Sequence, residues 1–291
     1  MKNIDIIAAC SDLGVHINGS NLGPEILINN IDKNILNKIK KINYDNKYIK
    51  ELDKDNLKKN LNELNLFNEK LYNEISNSLN NNMLPLTLGG DHSIAIASAL
   101  ASINKYNNLG IIWFDAHGDY HTFKTTVSGN IHGLPFAAIT GYEKKLLSEF
   151  HNGNYFNFKN AVLLGARDID KPDELNNLKD AGVTIITTED IKKYGIEAMY
   201  KKAFEIASNG TNGIHISYDL DCIDCDIAPG VSIPVKNGIN LDEAYSFVDY
   251  IIENREKIKS IDLVEFNPLR DKEKITENIA TNILNKLIQN I

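Results

Sequence analysis

The run IIWFDAHGDYHT, Ile111 to Thr122, leaves a hydrophobic stretch with four ionisable side chains at alternate positions: Asp115, His117, Asp119 and His121. Alternate side chains of an extended segment share a face, so this spacing predicts one cluster of two carboxylates and two imidazoles. Ile111, Ile112, Trp113 and Phe114 read as a strand buried on both faces. Carboxylates carried off such a strand must be protonated, paired or bound to metal, because an isolated buried charge is too costly. A hydrogen-bonded strand end is the plain reading; a divalent metal site is the sharp one. SYDLDCID repeats the i, i+2 pattern with Asp219 and Asp221. Two strand ends aimed at one volume supply enough ligands for two ions. Carboxylates with a few imidazoles suit hard or borderline cations, and Mn²⁺ fits this mix better than the thiolate-rich surroundings of structural Zn²⁺. His92, in GGDHS, is a further candidate ligand. Its alternative is an ordinary helix-start residue beside Asp91 or Ser93, either of which can cap a helix running from Ala95 to Ile103.

These residues need a scaffold that brings them together. Short apolar runs recur at Ile4 to Ala9, Leu84 to Leu88, Gly110 to Phe114, Ala161 to Gly165, Val183 to Thr187, Gly213 to Tyr218 and Ser260 to Phe266, with helix-spaced segments between them. Strand and helix in alternation predict an α/β fold, a mostly parallel sheet with helices on both faces, since parallel strands need crossover connections. The Asn- and Lys-rich stretch from Asp32 to Asn82 carries Leu57, Leu61, Leu64, Leu71, Ile75 and Leu79 at helical spacing and reads as surface helices. No repeat or Pro/Gly-rich linker divides the chain, so residues 1–291 read as one domain. The polar clusters GGDHS, DAHGD, GARDID, DLDCID and VEFNP each follow a strand, the edge where ligands bind in open parallel sheets.

Composition narrows the function. With 31 Lys and Arg against 39 Asp and Glu, the net charge of -8 offers no broad basic surface for nucleic acid. Asp5 interrupts a very short apolar run near the N-terminus, so neither a signal peptide nor a membrane span is expected. Cys10, Cys222 and Cys225 are too few for a disulfide framework, which agrees with a reducing, cytoplasmic compartment. The C-x-x-C spacing of Cys222 and Cys225 suggests a redox pair, but flanking aspartates disfavour a thiolate there.

In their order along the chain, GGDHS, WFDAHGDYHT, TTVSGNIHG, GARDID, SYDLDCID and VEFNP resemble the arginase–agmatinase (ureohydrolase) family, from SDLGVHINGSNLGP to the last helix. TTVSGNIHG resembles the arginase branch. The resemblance implies a three-layer α/β/α fold and two Mn²⁺ ions per chain. It assigns His92, Asp115, Asp119 and Asp219 to one ion and Asp115, His117, Asp219 and Asp221 to the other, with Asp115 and Asp219 bridging. Two such ions roughly 3.5–4 Å apart activate a shared water against the guanidinium carbon. The family assigns Glu265 to the guanidinium, Asp119 to protonation of the leaving nitrogen, and His132 to proton resupply. Ser128 and Asn130 resemble residues that address an α-carboxylate, and Asp170 one that addresses the α-amino group. Glu265 read alone is a core-edge salt bridge, His132 a solvated loop histidine, and Asp170 a turn residue ahead of Pro172.

The chain departs from the arginase pattern where substrate is held. His121 stands where arginases carry Asn, and Ile233 where they carry Thr. An imidazole can donate to a carboxylate, add positive charge or reach a metal, whereas Ile233 cannot hydrogen-bond. The resemblance thus implies an arginase making ornithine and urea, acting on a small guanidino substrate as a homo-oligomer, a trimer or hexamer. Hydrolysis of another guanidino compound such as agmatine is the enzymatic alternative. A non-catalytic metal-binding scaffold is the alternative of a different kind.

Overall fold

β-Branched and aromatic runs favour a pleated, buried surface, and each of the seven apolar runs becomes a strand. The computed structural model describes residues 3–31, 38–44, 60–146 and 153–291. The strands are β1 (Ile4–Cys10), β2 (Lys38–Asn43), β3 (Leu84–Gly89), β4 (Gly110–Phe114), β5 (Ala161–Ala166), β6 (Thr184–Thr187), β7 (Ile214–Asp219) and β8 (Ile258–Val264). All lie in one sheet in the order β2-β1-β3-β8-β7-β4-β5-β6, and every pairing is parallel. The helices are α1 (Gly23–Asn29), α2 (Leu61–Asn80), α3 (Ala95–Tyr106), α4 (Pro135–Ile139), α5 (Asp173–Ala181), α6 (Thr188–Tyr194), α7 (Ile196–Ser208), α8 (Leu241–Glu253) and α9 (Ile275–Asn290).

Strand alternation divides the core into two. Ile112 and Phe114 of β4 join one apolar cluster with α1, α7, α8 and α9. Ile111 and Trp113 of the same strand join the other, with α2, α3 and α4. Helices therefore cover both faces of the sheet, the three-layer α/β/α arrangement. No described helix is long and apolar enough to cross a membrane.

One element differs from the sequence reading. Within the stretch read as surface helices, Lys38–Asn43 is a strand, paired in parallel with β1 at the sheet edge. Lysines recur along it, and an edge strand tolerates such charge because one side faces water. Leu64, Leu71, Ile75 and Leu79 do form the buried stripe of α2, while Leu57 lies outside the described residues.

The β3 end approaches the β1 end closely enough to require glycine. A Cβ on Gly90 would lie 1.8 Å from the Ser11 carbonyl oxygen, so no other residue fits at position 90. On the opposite side of the sheet from α3, Phe247 packs against Phe114 and Tyr200 with ring centroids 4.5 and 4.7 Å away. Phe247→Ala empties that ring's volume in a fully buried position. A loss of about 3–5 kcal/mol in unfolding free energy is expected from denaturant titration; a loss under about 1 kcal/mol would show that the cluster does not carry the packing assigned to it.

Candidate active site

Trp113, the penultimate residue of β4, anchors the site. Its ring stacks on His92 at 3.9 Å between centroids and 10° between planes. Its indole N–H donates to Asp115 Oδ2 at 2.9 Å. Asp115 Oδ1 accepts from the backbone N–H of His117 at 2.7 Å. Asp219 closes β7 and uses Oδ1 to accept from the N–H of Asp221, and Asp221 Oδ1 accepts from the N–H of Ala116. Each of these carboxylates is thus aimed by a neighbouring donor.

The aimed groups converge. His92 Nδ1 lies 3.0 Å from Asp115 Oδ2, 3.0 Å from Asp219 Oδ2 and 3.3 Å from Asp119 Oδ2. His117 Nδ1 lies 2.9 Å from Asp221 Oδ2 and 3.4 Å from Asp115 Oδ1. Asp115 faces both imidazoles, one oxygen to each. Two groups, His92 with Asp115 and Asp219 and Asp115 with His117 and Asp221, are compact enough to hold a metal ion. His92 Nδ1 has no partner in hydrogen-bond geometry although it is buried, so three carboxylate oxygens surround a bare nitrogen donor. That donor set fits divalent cations of hard or borderline character.

The alternating geometry expected from Asp115 to His121 does not persist. The strand ends at Phe114, and Asp119 takes a left-handed backbone with φ 47°. Its carbonyl accepts from Phe136 and Ala137 at the start of α4. This turn swings the Asp119 carboxylate back toward His92 and sends His121 elsewhere. His121 Nε2 sits 3.0 Å from Asp170 Oδ2 and 3.7 Å from Glu174 Oε2, and its Nδ1 3.2 Å from Thr125 Oγ1. The four side chains therefore do not form a single cluster; three do.

Burial and charge shape the protonation of this site. Burial raises the Asp119 carboxyl to about 7, with the Asp115 charge adding to it. Burial also raises Asp219 and Asp221, as do their carboxylate neighbours. Burial alone would lower His92 and His117, but the surrounding carboxylates hold both well above the ordinary histidine value. Metal-free, the cluster therefore keeps protons that ligation must displace.

Glu265 follows β8 in a left-handed conformation, φ 68°, a strained geometry that recurs at functional sites. Its Oε1 accepts from the N–H of His92 at 2.8 Å and pairs with His132 Nδ1 at 2.9 Å, while its Oε2 is buried without a partner. Burial opposes ionisation of Glu265, yet the His132 bond prevails and lowers it. Burial likewise opposes protonation of His132, and Glu265 prevails, raising the imidazole to about 9. The two thus form an ion pair at neutral pH, a contact the sequence does not disclose.

Beyond the cluster a cleft of roughly 280 Å³ is lined by His117, Asp119, His121, Ser128, Asn130, His132, Asp170 and Ile233. His16, Thr126, Asp168 and Glu174 line it too, and sequence reasoning did not single them out. Glu174 is the buried support of this wall, accepting from the N–H groups of Tyr120 and Asp170. His16 stands after β1, a strand end whose following loop carried no recognised ligand pattern. Arg167 of GARDID faces away, spending its guanidinium on carbonyls that include Asp221, Ile223 and Val235. It pins the segment holding Asp221 and Ile233 to the end of β5. Cys222 is buried, and burial holds its thiol well above the usual value, which removes the redox-pair reading.

Beneath the cluster lies a second feature the sequence hid. His92 Nε2 meets Ser217 Oγ at 2.8 Å, and Ser217 reaches Asp262, which is paired with His215 at 3.1 Å. All four are buried, and His215, Ser217 and Asp262 lie on the central strands β7 and β8. Groups behind a ligating histidine fix its ring orientation and tautomer.

The Arginase family model matches residues 2–289. The chain belongs to the arginase family. An arginase of Staphylococcus aureus (strain COL) is 37% identical, covering 97% of this chain and 96% of its own. The arginase of Bacillus caldovelox in its native structure superposes with a TM-score of 0.89 at 30% identity, covering 99% of this chain and 98% of that one. The Entamoeba histolytica arginase in complex with L-ornithine gives 0.88 at 27% identity, with the same coverage. Membership makes this chain a ureohydrolase-type enzyme, from a family of binuclear metal enzymes.

The raised groups fix the sign of a pH effect. Asp119, raised to about 7, and the raised histidines hold protons that a cation bound there must expel, so affinity for a divalent ion rises as pH rises through about 7. Calorimetry in buffers of differing ionisation enthalpy should register proton release on loading. Binding with no pH dependence and no released protons would contradict the protonation described.

Proposed function

We propose that this ureohydrolase is an Mn²⁺-dependent arginase, hydrolysing L-arginine to L-ornithine and urea with two ions per chain. The observation that carries the reading is the bare, buried Oε2 of Glu265 together with the six converging His and Asp side chains, two of which, His117 and Asp119, line the cleft that Ser128, Asn130 and Asp170 also line. His92, Asp115, Asp119 and Asp219 would hold one ion, and Asp115, His117, Asp219 and Asp221 the other. When bound, the pair supplies a nucleophile at neutral pH, water made acidic enough to ionise.

This chain's own groups do the rest. Glu265 carries negative charge in a dry pocket and presents one oxygen to a guanidinium, a charge-assisted contact of the strong kind. The departing nitrogen must be protonated before it can leave, and a general acid works best near the operating pH. The family resemblance gives that task to Asp119, which lines the cleft beside His92. His132, protonated below about 9 and lining the cleft, can return the proton from solvent. At the far end Ser128 and Asn130 would meet the α-carboxylate, and Asp170 the α-amino group.

A second reading rests on one contact. His121 occupies an oxygen of Asp170, the group that would meet the α-amino nitrogen, which weakens an arginine-type grip and favours another guanidino compound, such as agmatine, which lacks the α-carboxylate. We further infer from the family likeness one catalytic domain over residues 1–291, acting in the cytoplasm as a homo-oligomer, a trimer or hexamer.

Urea release from L-arginine in Mn²⁺, against the same protein after chelation, tests the function, and metal analysis should find two ions per active chain. A single ion in active enzyme would sink the binuclear arrangement. Asp119→Asn should lower turnover by about 10²–10⁴-fold or more. His132→Ala should slow turnover at unchanged metal content, with partial rescue by imidazole; metal loss would instead make it a ligand or a structural residue.

L-Arginine should exceed agmatine in kcat/KM. His121→Asn should lower KM for arginine by releasing Asp170, and Ile233→Thr should raise turnover by restoring a hydrogen-bonding group at the cleft. A wild-type preference for agmatine would replace the first reading with the second.

A further inference from the structure

Asn130 begins the 3-10 turn Ile131–Gly133 as its N-cap residue, yet its side chain makes no cap hydrogen bond. An asparagine in this position ordinarily turns its oxygen onto the backbone N–H groups of the first turn. Here Oδ1 points the other way, to His16 Nδ1 at 2.9 Å. A carboxamide oxygen only accepts, so the imidazole must donate from Nδ1.

The consequence lies at the other end of the amide. Asn130 is 6% exposed and lines the cleft, and its Nδ2 meets no partner among the described residues. The oxygen and nitrogen of a carboxamide are nearly equal in size, so an untethered amide can present either one. Presented to a carboxylate, the nitrogen donates and the oxygen repels. Ser128 complements this arrangement. Its Oγ accepts from the N–H of Asn130 at 3.2 Å, which leaves its own hydrogen to donate.

His16 is itself held in place. Gly14 donates to Asp91 Oδ2 and accepts from the N–H of His132, while Gly19 donates to Asp12 Oδ2. The loop that carries the imidazole is thus tied on both sides.

We propose that His16 is a positioning residue for recognition of the substrate's carboxylate: it fixes the Asn130 amide with its NH₂ group toward the cleft. The proposal rests on the arginine reading for the identity of the carboxylate. His16 touches Asn130 and acts through it.

The test uses the full-length, Mn²⁺-loaded protein and two ligand pairs that differ in the carboxyl group. L-Ornithine and putrescine are compared by calorimetry, L-arginine and agmatine by urea or amine release. In His16→Ala, the ornithine-to-putrescine affinity ratio and the arginine-to-agmatine ratio of kcat/KM should each fall about tenfold, the scale of one hydrogen bond to a charged group. His16→Gln, whose amide can still donate to Oδ1, should recover most of both ratios. Metal content and melting temperature serve as controls for folding.

An affinity ratio unchanged in His16→Ala, a ratio lost equally in His16→Gln, or a wild type that binds both ligands alike overturns the proposal. If the wild type releases no urea from arginine, the proposed function falls, and the ornithine and putrescine arm still decides the role of His16.

Discussion

Four aspartates, Asp115, Asp119, Asp219 and Asp221, lie together with two histidines in a space almost closed to water, and their mutual repulsion is the constraint on which the site depends. Charges this close in a poorly polarisable interior repel strongly. The metal-free protein answers by protonation: burial and the neighbouring carboxylates raise Asp119, Asp219 and Asp221, and the carboxylates raise His92 and His117. A pair of divalent cations answers the same repulsion with positive charge. The protein would then trade bound protons for ions, which links loading to pH.

Holding such a cluster open requires a rigid frame, and the sheet provides it. The strands that lead into the candidate ligands, β4 and β7, are adjacent near the middle of the sheet, and β8, which leads to Glu265, flanks β7. Apolar clusters on both faces clamp them. Trp113 connects this frame to the chemistry, stacking on His92 while donating to Asp115. Below, Ser217, Asp262 and His215 form a buried polar chain behind His92. A buried carboxylate in the centre of a sheet is costly unless fully partnered, so its place behind His92 points to control of that ring's orientation.

The outer cleft follows a different logic, in which one histidine competes and another assists. His121 bonds the carboxylate that would meet an α-amino group. His16 bonds an amide oxygen and thereby frees the amide nitrogen for an α-carboxylate. The same side-chain chemistry weakens one end of amino-acid recognition and sharpens the other. Selectivity between arginine and its decarboxylated analogue, which keeps the amino group, would rest on the His16 contact, while the His121 contact would set the grip on that amino group.

Much of this was legible in the sequence. The alternation of apolar runs and helical stripes set the α/β class, because parallel strands and their crossovers leave a strong period. The motifs at strand ends marked the ligand candidates, because Asp and His cluster there for few reasons. Lys38–Asn43 escaped because an edge strand half in water shows no hydrophobic signature. Which of Asp115, His117, Asp119 and His121 share a volume was decided only in three dimensions, by the left-handed turn at Asp119. Local spacing assumes an extended chain, and the packing of α4 against the Asp119 carbonyl overrides it. The partners of His16, His132 and His121 are 114, 133 and 49 residues away in sequence. Spacing carries no trace of such pairings, since they exist only where separate strand ends meet at one edge of the sheet.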